Sequence, residues 1–462
     1  MTATTLTMPR AFAVWFKDLV RWDYGFFRTL AWAWPKEMLL PVGMVLKRKI
    51  VEAVATEDKT TLPIIEKISF GGHVSVTDAA SRKNYKGRLF WADSGDLIYS
   101  KIRVKQGSLA IVPNEHARLA VSAEYPVYNV DKERIDPTFL MLVLKSKSFL
   151  SIFEGLSHGG STKTRIPPIE FERQKIPLPA LAEQEAIVAH WRKVQSNIAA
   201  ANDRIAKLEA AVPKIVYQGL GTPPPVADRA ADKWLVMWWK DLERWNFKYL
   251  SRSKEGLLGY TKSKFPIEPL GKHLVGTMHG YCIKPVAGPS EHKMLKLNAL
   301  DAAGLDLTAS KFIDIPDRIA KRFSLKKNDI LICRSNAYEY VAKCALVRED
   351  QPTYLFPDII IRARVKDSVL PEYVAEVIQT PLGRSFFQIN SRRAVGGMWK
   401  IGTEDIANFP IPVPPLTVQK EIVERITAQR REIAREREAA DLLARDIDVE
   451  VEALILGIKR LS

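Results

Sequence analysis

The 462-residue chain is 47% apolar and 26% charged, which is globular material and excludes the low-complexity and disordered classes. Its 69 Lys and Arg outnumber 53 Asp and Glu, a formal charge of +16, so a polyanion is the leading class of partner. Three cysteines, Cys282, Cys333 and Cys344, form neither an even framework nor paired metal-ligand spacings; they are expected to be buried packing residues in a reducing cytoplasm, without a zinc site.

Residues 1–10 lack a cationic start followed by an apolar core, so no secretory signal is expected. The opening is rich in tryptophan, and Trp15, Leu19 and Trp22 share one helical face, a pattern of core packing or helix docking. The apolar stretch from Leu30 to Leu46 is broken by Pro35, Lys36, Glu37 and Pro41, which excludes a clean membrane span. Ser81 to Arg88 is a basic run with one aromatic and reads as a solvated loop. Gly95-Asp96-Leu97-Ile98-Tyr99-Ser100-Lys101 is a turn signal followed by a strand that ends in a cation. Leu109 to Val112 is a further apolar run, and Asp136 caps a helix that begins at Pro137 and is expected to reach Phe149. Next come a polar, basic, glycine-containing loop from Ser157 to Arg165 and the Pro-rich stop Ile176-Pro177-Leu178-Pro179. The prolines force an extended entry into a long helix. Along it Ile187, Trp191, Val194, Ile198, Ala201, Ile205, Leu208 and Val212 alternate in steps of four and three, a coiled-coil seam.

The same order then repeats. Trp15–Trp22 recurs as Trp238–Trp245 with six of eight residues identical, Gly95–Lys101 as Asn328–Arg334, and Ile176–Val188 as Ile411–Val423. The offsets are 223 (238 − 15), 233 (328 − 95) and 235 (411 − 176), so the chain is a tandem duplication whose second module carries small interior insertions. The second module also has an apolar run, Asp358 to Ile361, a helix expected from Pro371 to Phe387, and a basic glycine loop from Ser391 to Lys400. Its terminal helix alternates through Ile422, Ile426, Gln429, Ile433, Glu436, Ala440, Leu443, Ile447, Glu450 and Leu454, with three polar interruptions. Two such stripes gain most by burying one another in an antiparallel pair. Two mixed α/β bodies are expected at 1–178 and 222–414, with the helices at 179–221 and 415–462.

Glycines in the two loops allow close approach of another chain, and Lys, Arg, Ser and Thr donate to phosphates and base edges. DNA contact is expected from Lys101, Arg103, Lys163, Arg165, Arg334, Asn336, Arg392, Arg393 and Lys400. Of these types, Arg can bond guanine bidentately and Asn adenine. No Gly-x-x-x-x-Gly-Lys-Ser/Thr loop, Gly-x-Gly-x-x-Gly turn or His-Glu-x-x-His pair occurs, so no catalytic, cofactor-binding or metal-ligating residue is assigned. Asp136-Pro137-Thr138-Phe139 approaches the Asp-Pro-Pro-Phe/Tyr tetrapeptide of amino-methyltransferases, but Thr138 replaces a proline and no glycine-rich motif accompanies it.

Together these residues resemble the specificity subunit of type I restriction-modification systems. The resemblance rests on a helix entry like Pro-Leu-Pro-x-Leu-x-Glu-Gln, here Pro177–Gln184 and Pro412–Gln419, the second with Val418 where the family commonly has Glu. Asn328-Asp329-Ile330-Leu331 with Arg334, and the later Ala345-Leu346-Val347, also look like the family's strands. The resemblance implies an α/β fold, two target-recognition domains separated and joined by two long helices in an antiparallel coiled coil. It implies a cytoplasmic, non-catalytic subunit that binds double-stranded DNA, each domain reading one half of a split, asymmetric target. The implied partners are two modification (methyltransferase) subunits carrying S-adenosylmethionine, and restriction/translocase subunits using ATP and Mg. A stand-alone DNA methyltransferase or nuclease with degenerate motifs, and a DNA-binding assembly scaffold, are the alternatives.

The seams span 26 and 33 residues, or about 39 Å and about 50 Å of helix, against about 34 Å for a turn of DNA. Lengthening both helices by one turn, ~5.4 Å, is expected to change the gap between half-sites; an unchanged gap in methylation mapping rejects a spacer role.

Overall fold

A computed structural model describes residues 32–53, 63–77, 87–155, 165–225, 260, 262–301 and 304–461. The segments Trp15–Trp22 and Trp238–Trp245, residues 81–86 of the first basic run, and the loop 157–164 with Lys163 lie outside them. The chain divides into two compact units, one of residues 1–200 with 440–462, the other of residues 201–439. Each unit therefore contains a body, the first part of one long helix or the last part of it, and the complementary part of the other. Among the described residues no helix is long and apolar enough to cross a membrane.

In the first unit the framework is β1 (Leu39–Pro41), β2 (Leu46–Lys49), β3 (Leu97–Tyr99), β4 (Leu109–Ile111), β5 (Val127–Val130), α1 (Pro137–Lys145), α2 (Lys147–Gly155), β6 (Lys175–Pro177) and the start of α3 (Leu181–Leu220). In the second it is β7 (Ile267–Pro269), β8 (Leu274–His279), β9 (Ile330–Cys333), β10 (Cys344–Leu346), β11 (Ile360–Val365), α4 (Pro371–Gln379), α5 (Pro381–Asn390), β12 (Pro410–Pro412) and the start of α6 (Leu416–Ile455). The sheet orders match: β2-β5-β3-β4 in one and β8-β11-β9-β10 in the other, every neighbour antiparallel. So do the short pairs β1-β6 and β7-β12. A second sheet also recurs: Ser310–Ile313, His292–Leu295, Gln351–Leu355 and Ser324–Leu325 in the second body, its central pair parallel, correspond to Val74–Val76, Ile65–Ile68, Arg118–Ser122 and Leu89–Asp93 in the first, where a parallel bridge between Ile64 and Ala120 joins the two antiparallel pairs.

The turn before the central strand shows why the repeat keeps its residues. Gly95 (φ +87°) and Asn328 (φ +72°) occupy the left-handed region, which glycine and asparagine tolerate best. The next residue is a buried aspartate whose Oδ2 accepts the N–H three residues back, Asp93 N at 2.8 Å from Asp96 and Lys326 N at 2.9 Å from Asp329. Its other partners come from other strands of the same sheet: Lys49 Nζ (2.7 Å) and Asn129 Nδ2 (2.5 Å) for Asp96, Arg364 Nε (2.5 Å) for Asp329. A buried carboxylate is tolerable only when so paired. The following residues of β3 and β9 are wholly buried.

The helices expected after each sheet need correction. In place of one helix from Pro137 to Phe149, the chain breaks at Ser146, and in place of Pro371 to Phe387 it breaks at Thr380. Ser146 Oγ donates to Val143 O (2.7 Å) and accepts from Phe149 N (3.2 Å); Thr380 Oγ1 donates to Val377 O (2.8 Å) and accepts from Gly383 N (3.1 Å). In both halves a hydroxyl closes one helix and opens the next, an alternative to continuous helix that Ser and Thr favour. Asp136 caps α1 as expected, accepting from Thr138 N and Phe139 N.

Each long helix is tied to its body by a glutamine with no exposed surface. Gln184 donates to Pro179 O (2.8 Å) and Arg134 O (3.0 Å) and accepts from Asp136 N (2.9 Å). Gln419 donates to Pro414 O (2.9 Å) and Ser368 O (3.4 Å) and accepts from Leu370 N (2.8 Å). Val418, where the family commonly has Glu, packs against the core of its unit.

Within each unit the helical segments run antiparallel. His190 faces Glu450 (2.9 Å) in the first; Arg204 faces Glu436 (3.0 Å), and Arg425 donates to Gln218 (3.2 Å), in the second. Ile187, Ile447 and Leu454, with Trp191, Val194 and Ile198 beside them, join the first core, and Ile422 and Ile426 join the second. Ile205 and Ile433 are also buried, and Leu208 is half-buried. The first seam runs past Val212 to Ile215, Val216 and Leu220, all in the second core. The polar interruptions have partners on the opposing helix, since Gln429 donates to Leu208 O (3.4 Å) and Glu436 and Glu450 pair as above. Leu443 departs from the expected seam, being 39% exposed; the buried row is Ala440, Ile447, Val451 and Leu454.

Both helices end at a left-handed glycine, Gly221 (φ +61°) and Gly457 (φ +75°). The segment entering each body then covers the last carbonyls. Trp34 Nε1 donates to Ile455 O (2.7 Å) and Ala33 N to Leu456 O (2.7 Å), while Ser263 Oγ and Lys264 N donate to Leu220 O. Cys333 and Cys344 are buried as expected, but Cys282 is exposed, because it falls in the irregular segment after β8.

Replacing Gln419 by Leu keeps the volume and strands Leu370 N–H, Pro414 O and Ser368 O. The expected cost to chemical denaturation of the second unit is about 3 kcal/mol; a change under about 0.5 kcal/mol, the level of an ordinary surface substitution, contradicts the clamp.

Candidate nucleic-acid interface

The structure gathers the predicted cations that it describes into one cluster per unit, at the end of the central strand. In the first unit Lys101 O accepts from Ile166 N (2.8 Å); in the second Arg334 O accepts from Ile401 N (3.0 Å). Arg165 is thus set beside Lys101, and Lys400 beside Arg334, by the same backbone bond.

The first cluster is tempered by a carboxylate. Arg165 makes two contacts to Glu124, Nε–Oε2 and Nη2–Oε1, both 3.2 Å, while Lys101 N donates to Glu124 O (3.1 Å). The Arg165 side chain is well exposed, and such a surface pair contributes about 0–1 kcal/mol, little enough for a phosphate to displace. Arg103 is exposed just before the single turn Val104–Gln106.

The second cluster is a small three-stranded antiparallel sheet. Ser335–Asn336 pairs with Trp399–Lys400, which pairs with Arg392–Arg393. Residues directly opposite share a face, so Asn336, Trp399 and Arg393 line one side and Ser335, Lys400 and Arg392 the other. The basic glycine loop is therefore a β-hairpin. Ala394 N donates to Met398 O (2.7 Å) across its tip, and Gly396 and Gly397 both take left-handed φ, +81° and +78°. A Cβ at either would meet nothing within 4 Å, so the backbone conformation and not crowding calls for glycine. Arg392, Arg393, Met398 and Lys400 are exposed. Trp399 anchors the hairpin through an edge contact to Tyr338, ring centroids 5.0 Å apart.

Two predicted readers behave differently from the rest. Asn336 accepts from Ala337 N (2.8 Å) on an Oδ1 that keeps a second lone pair. Arg334 is half-buried, with one Nη reaching Asp358 O (3.4 Å). Burial, and next the Arg334 charge, lower the pKa of His279 at the end of β8. Burial pushes the Cys333 thiol up to about 11, so it is protonated at neutral pH. Sequence reasoning missed the aromatic part of this surface: Tyr340 is 53% exposed in the turn Tyr338–Tyr340 that packs on Trp399. Among the described residues one group has metal-ligand atoms close together, Glu291, His292 and Asp317, and it lies at one end of the four-stranded sheet that holds His292–Leu295 rather than at the hairpin.

The model of the type I restriction modification DNA specificity domain matches residues 47–210 and 319–441, more than half of the chain. The chain belongs to this family. Its relatives include the specificity subunit of the type I restriction enzyme EcoKI of Escherichia coli K12, 26% identical over 290 residues, which are 62% of this chain and 57% of that protein. The StySPI specificity subunit of Salmonella potsdam is 23% identical over 331 residues, 70% of this chain and 66% of that one. The chain thus aligns with less than two thirds of either relative. A chain from a structure of type I restriction-modification complex assembly and conformational transition shares the fold, with a TM-score of 0.57 at 14% identity, covering 90% of this chain and 97% of that one. In this specificity-domain protein the matched segments contain the duplicated central strands, both helix entries and the basic hairpin.

The double substitution Arg392→Ala with Arg393→Ala is expected to weaken DNA binding and to flatten the dependence of log K on log salt by up to about two, roughly 0.9 for each phosphate that is no longer neutralised. Wild-type affinity and slope in the double variant remove the hairpin from the interface.

Proposed function

We propose that this chain is the sequence-specific DNA-binding subunit of a type I restriction-modification complex, each body reading one half of a bipartite, asymmetric target. The observation that carries the reading is the duplicated scaffold, two bodies with one strand order whose exposed surfaces differ, within a chain of the specificity-domain family. One architecture presenting two unlike surfaces suits recognition of two unlike short sequences, because base readout depends on the few side chains at each contact surface. The formal charge of +16 and the basic hairpin supply the phosphate-directed attraction.

The long helices, by this reading, dock two modification subunits, and the complex works in the cytoplasm. The chain itself is non-catalytic: S-adenosylmethionine belongs to the modification subunits, and ATP and Mg to the restriction/translocase subunits. Methylome sequencing of cells that carry this chain with its modification subunits is expected to show one motif split into two unlike halves by a fixed gap. A continuous motif, or methyl transfer to DNA by the purified chain alone, overturns the reading.

A further inference from the structure

We infer that Glu291, His292 and Asp317 form a binding site for a divalent transition-metal ion, a staple within the second body. His292 opens the strand His292–Leu295 and pairs with Ile313 of the antiparallel neighbour. Ser290 Oγ donates to Ile313 O (2.7 Å), which fixes the approach of Glu291. Asp317 opens the helix Asp317–Phe323 only a few residues beyond Ile313, so the strand pairing returns it to the imidazole from 25 positions (317 − 292) away.

His292 carries the inference. It is 8% exposed, and both its ring nitrogens are sealed from solvent with no hydrogen-bond partner in the protein. A neutral imidazole has one donor and one acceptor and a charged one has two donors, so either state is left unsatisfied. Its Nε2 lies 3.6 Å from Asp317 Oδ1, too long for a hydrogen bond. Two ligand atoms at about 2.0–2.1 Å from one tetrahedral ion stand roughly 3.4 Å apart, close to that separation. One ligand atom from each of the three residues lies within 4.8 Å of the others, and the Glu291 and Asp317 residues are exposed, leaving their carboxylates freedom to close on an ion. Two carboxylates offset the charge of a dication, and an imidazole with carboxylate oxygens suits a first-row divalent ion, zinc included, with water completing the set. An ion here would cross-link the His292–Leu295 strand to the start of the Asp317–Phe323 helix.

The test uses the full chain, stripped with a chelator and desalted, then titrated with Zn²⁺ by calorimetry, with bound metal counted by mass spectrometry. One equivalent per chain is expected, with affinity reduced at least about tenfold in both Asp317→Asn and Glu291→Gln, and the site lost in His292→Ala. The two carboxylate variants alter exposed side chains, and an unchanged circular dichroism spectrum verifies their fold, so the proposal does not depend on the buried histidine variant folding. Wild-type protein that binds no zinc overturns the site. Binding that is equal in wild type, Asp317→Asn and Glu291→Gln assigns the metal elsewhere and overturns it equally.

Discussion

A single buried glutamine at the head of each long helix fixes how that helix leaves its body. Gln184 and Gln419 satisfy a proline carbonyl in the entry segment together with a carbonyl and an N–H just before α1 or α4. Three bonds to a side chain without exposed surface cannot be exchanged for water, so loss of the amide leaves unpaired groups rather than a looser joint. The prolines prepare this geometry by refusing helix upstream, which leaves the carbonyls of Pro179 and Pro414 available. The direction of the helix, and the seam that follows from it, rest on this contact.

A second shared device sets the central strand. The left-handed residue followed by a buried aspartate closes the turn in both halves, but the countercharge differs, Lys49 with Asn129 for Asp96 and Arg364 with Arg362 nearby for Asp329. The chain has thus kept the acceptor and changed its donors. The same contrast holds at the strand ends. Equivalent backbone bonds place Lys101 beside Ile166 and Arg334 beside Ile401, yet one cluster is balanced by Glu124 and the other extends into a basic hairpin with an aromatic anchor. Common backbone with unlike surfaces is what the proposed division into half-site readers requires.

Much of this was legible because the duplication let each half corroborate the other: both helix entries, the central strands, the cap at Asp136 and most seam positions could be read from spacing. The purpose of Gln184 could not, since its partners Arg134 and Asp136 lie about fifty residues upstream. The helix break at Thr380 has a signal in Pro381, which the expected Pro371–Phe387 helix overran, whereas the matching break at Ser146 depends on a hydroxyl bonding back to Val143. Leu443 fits the spacing yet is exposed, while Ala440, Ile447 and Leu454 hold the seven-residue row, because spacing alone does not say which alternate positions find a partner. Asn336 also accepts from Ala337 N, a local bond that no periodicity announces. Glu291 and His292 are adjacent, but nothing local announces Asp317; strand pairing alone brings it near.

The central claim, that each body reads its own half-site, is tested most directly by exchanging residues 222–414 for the corresponding body of another family member. The chimera is placed in cells with the modification subunits and its methylome sequenced. One half of the motif should change while the other half and the gap persist. A motif altered in both halves, or in neither, would contradict the division of labour.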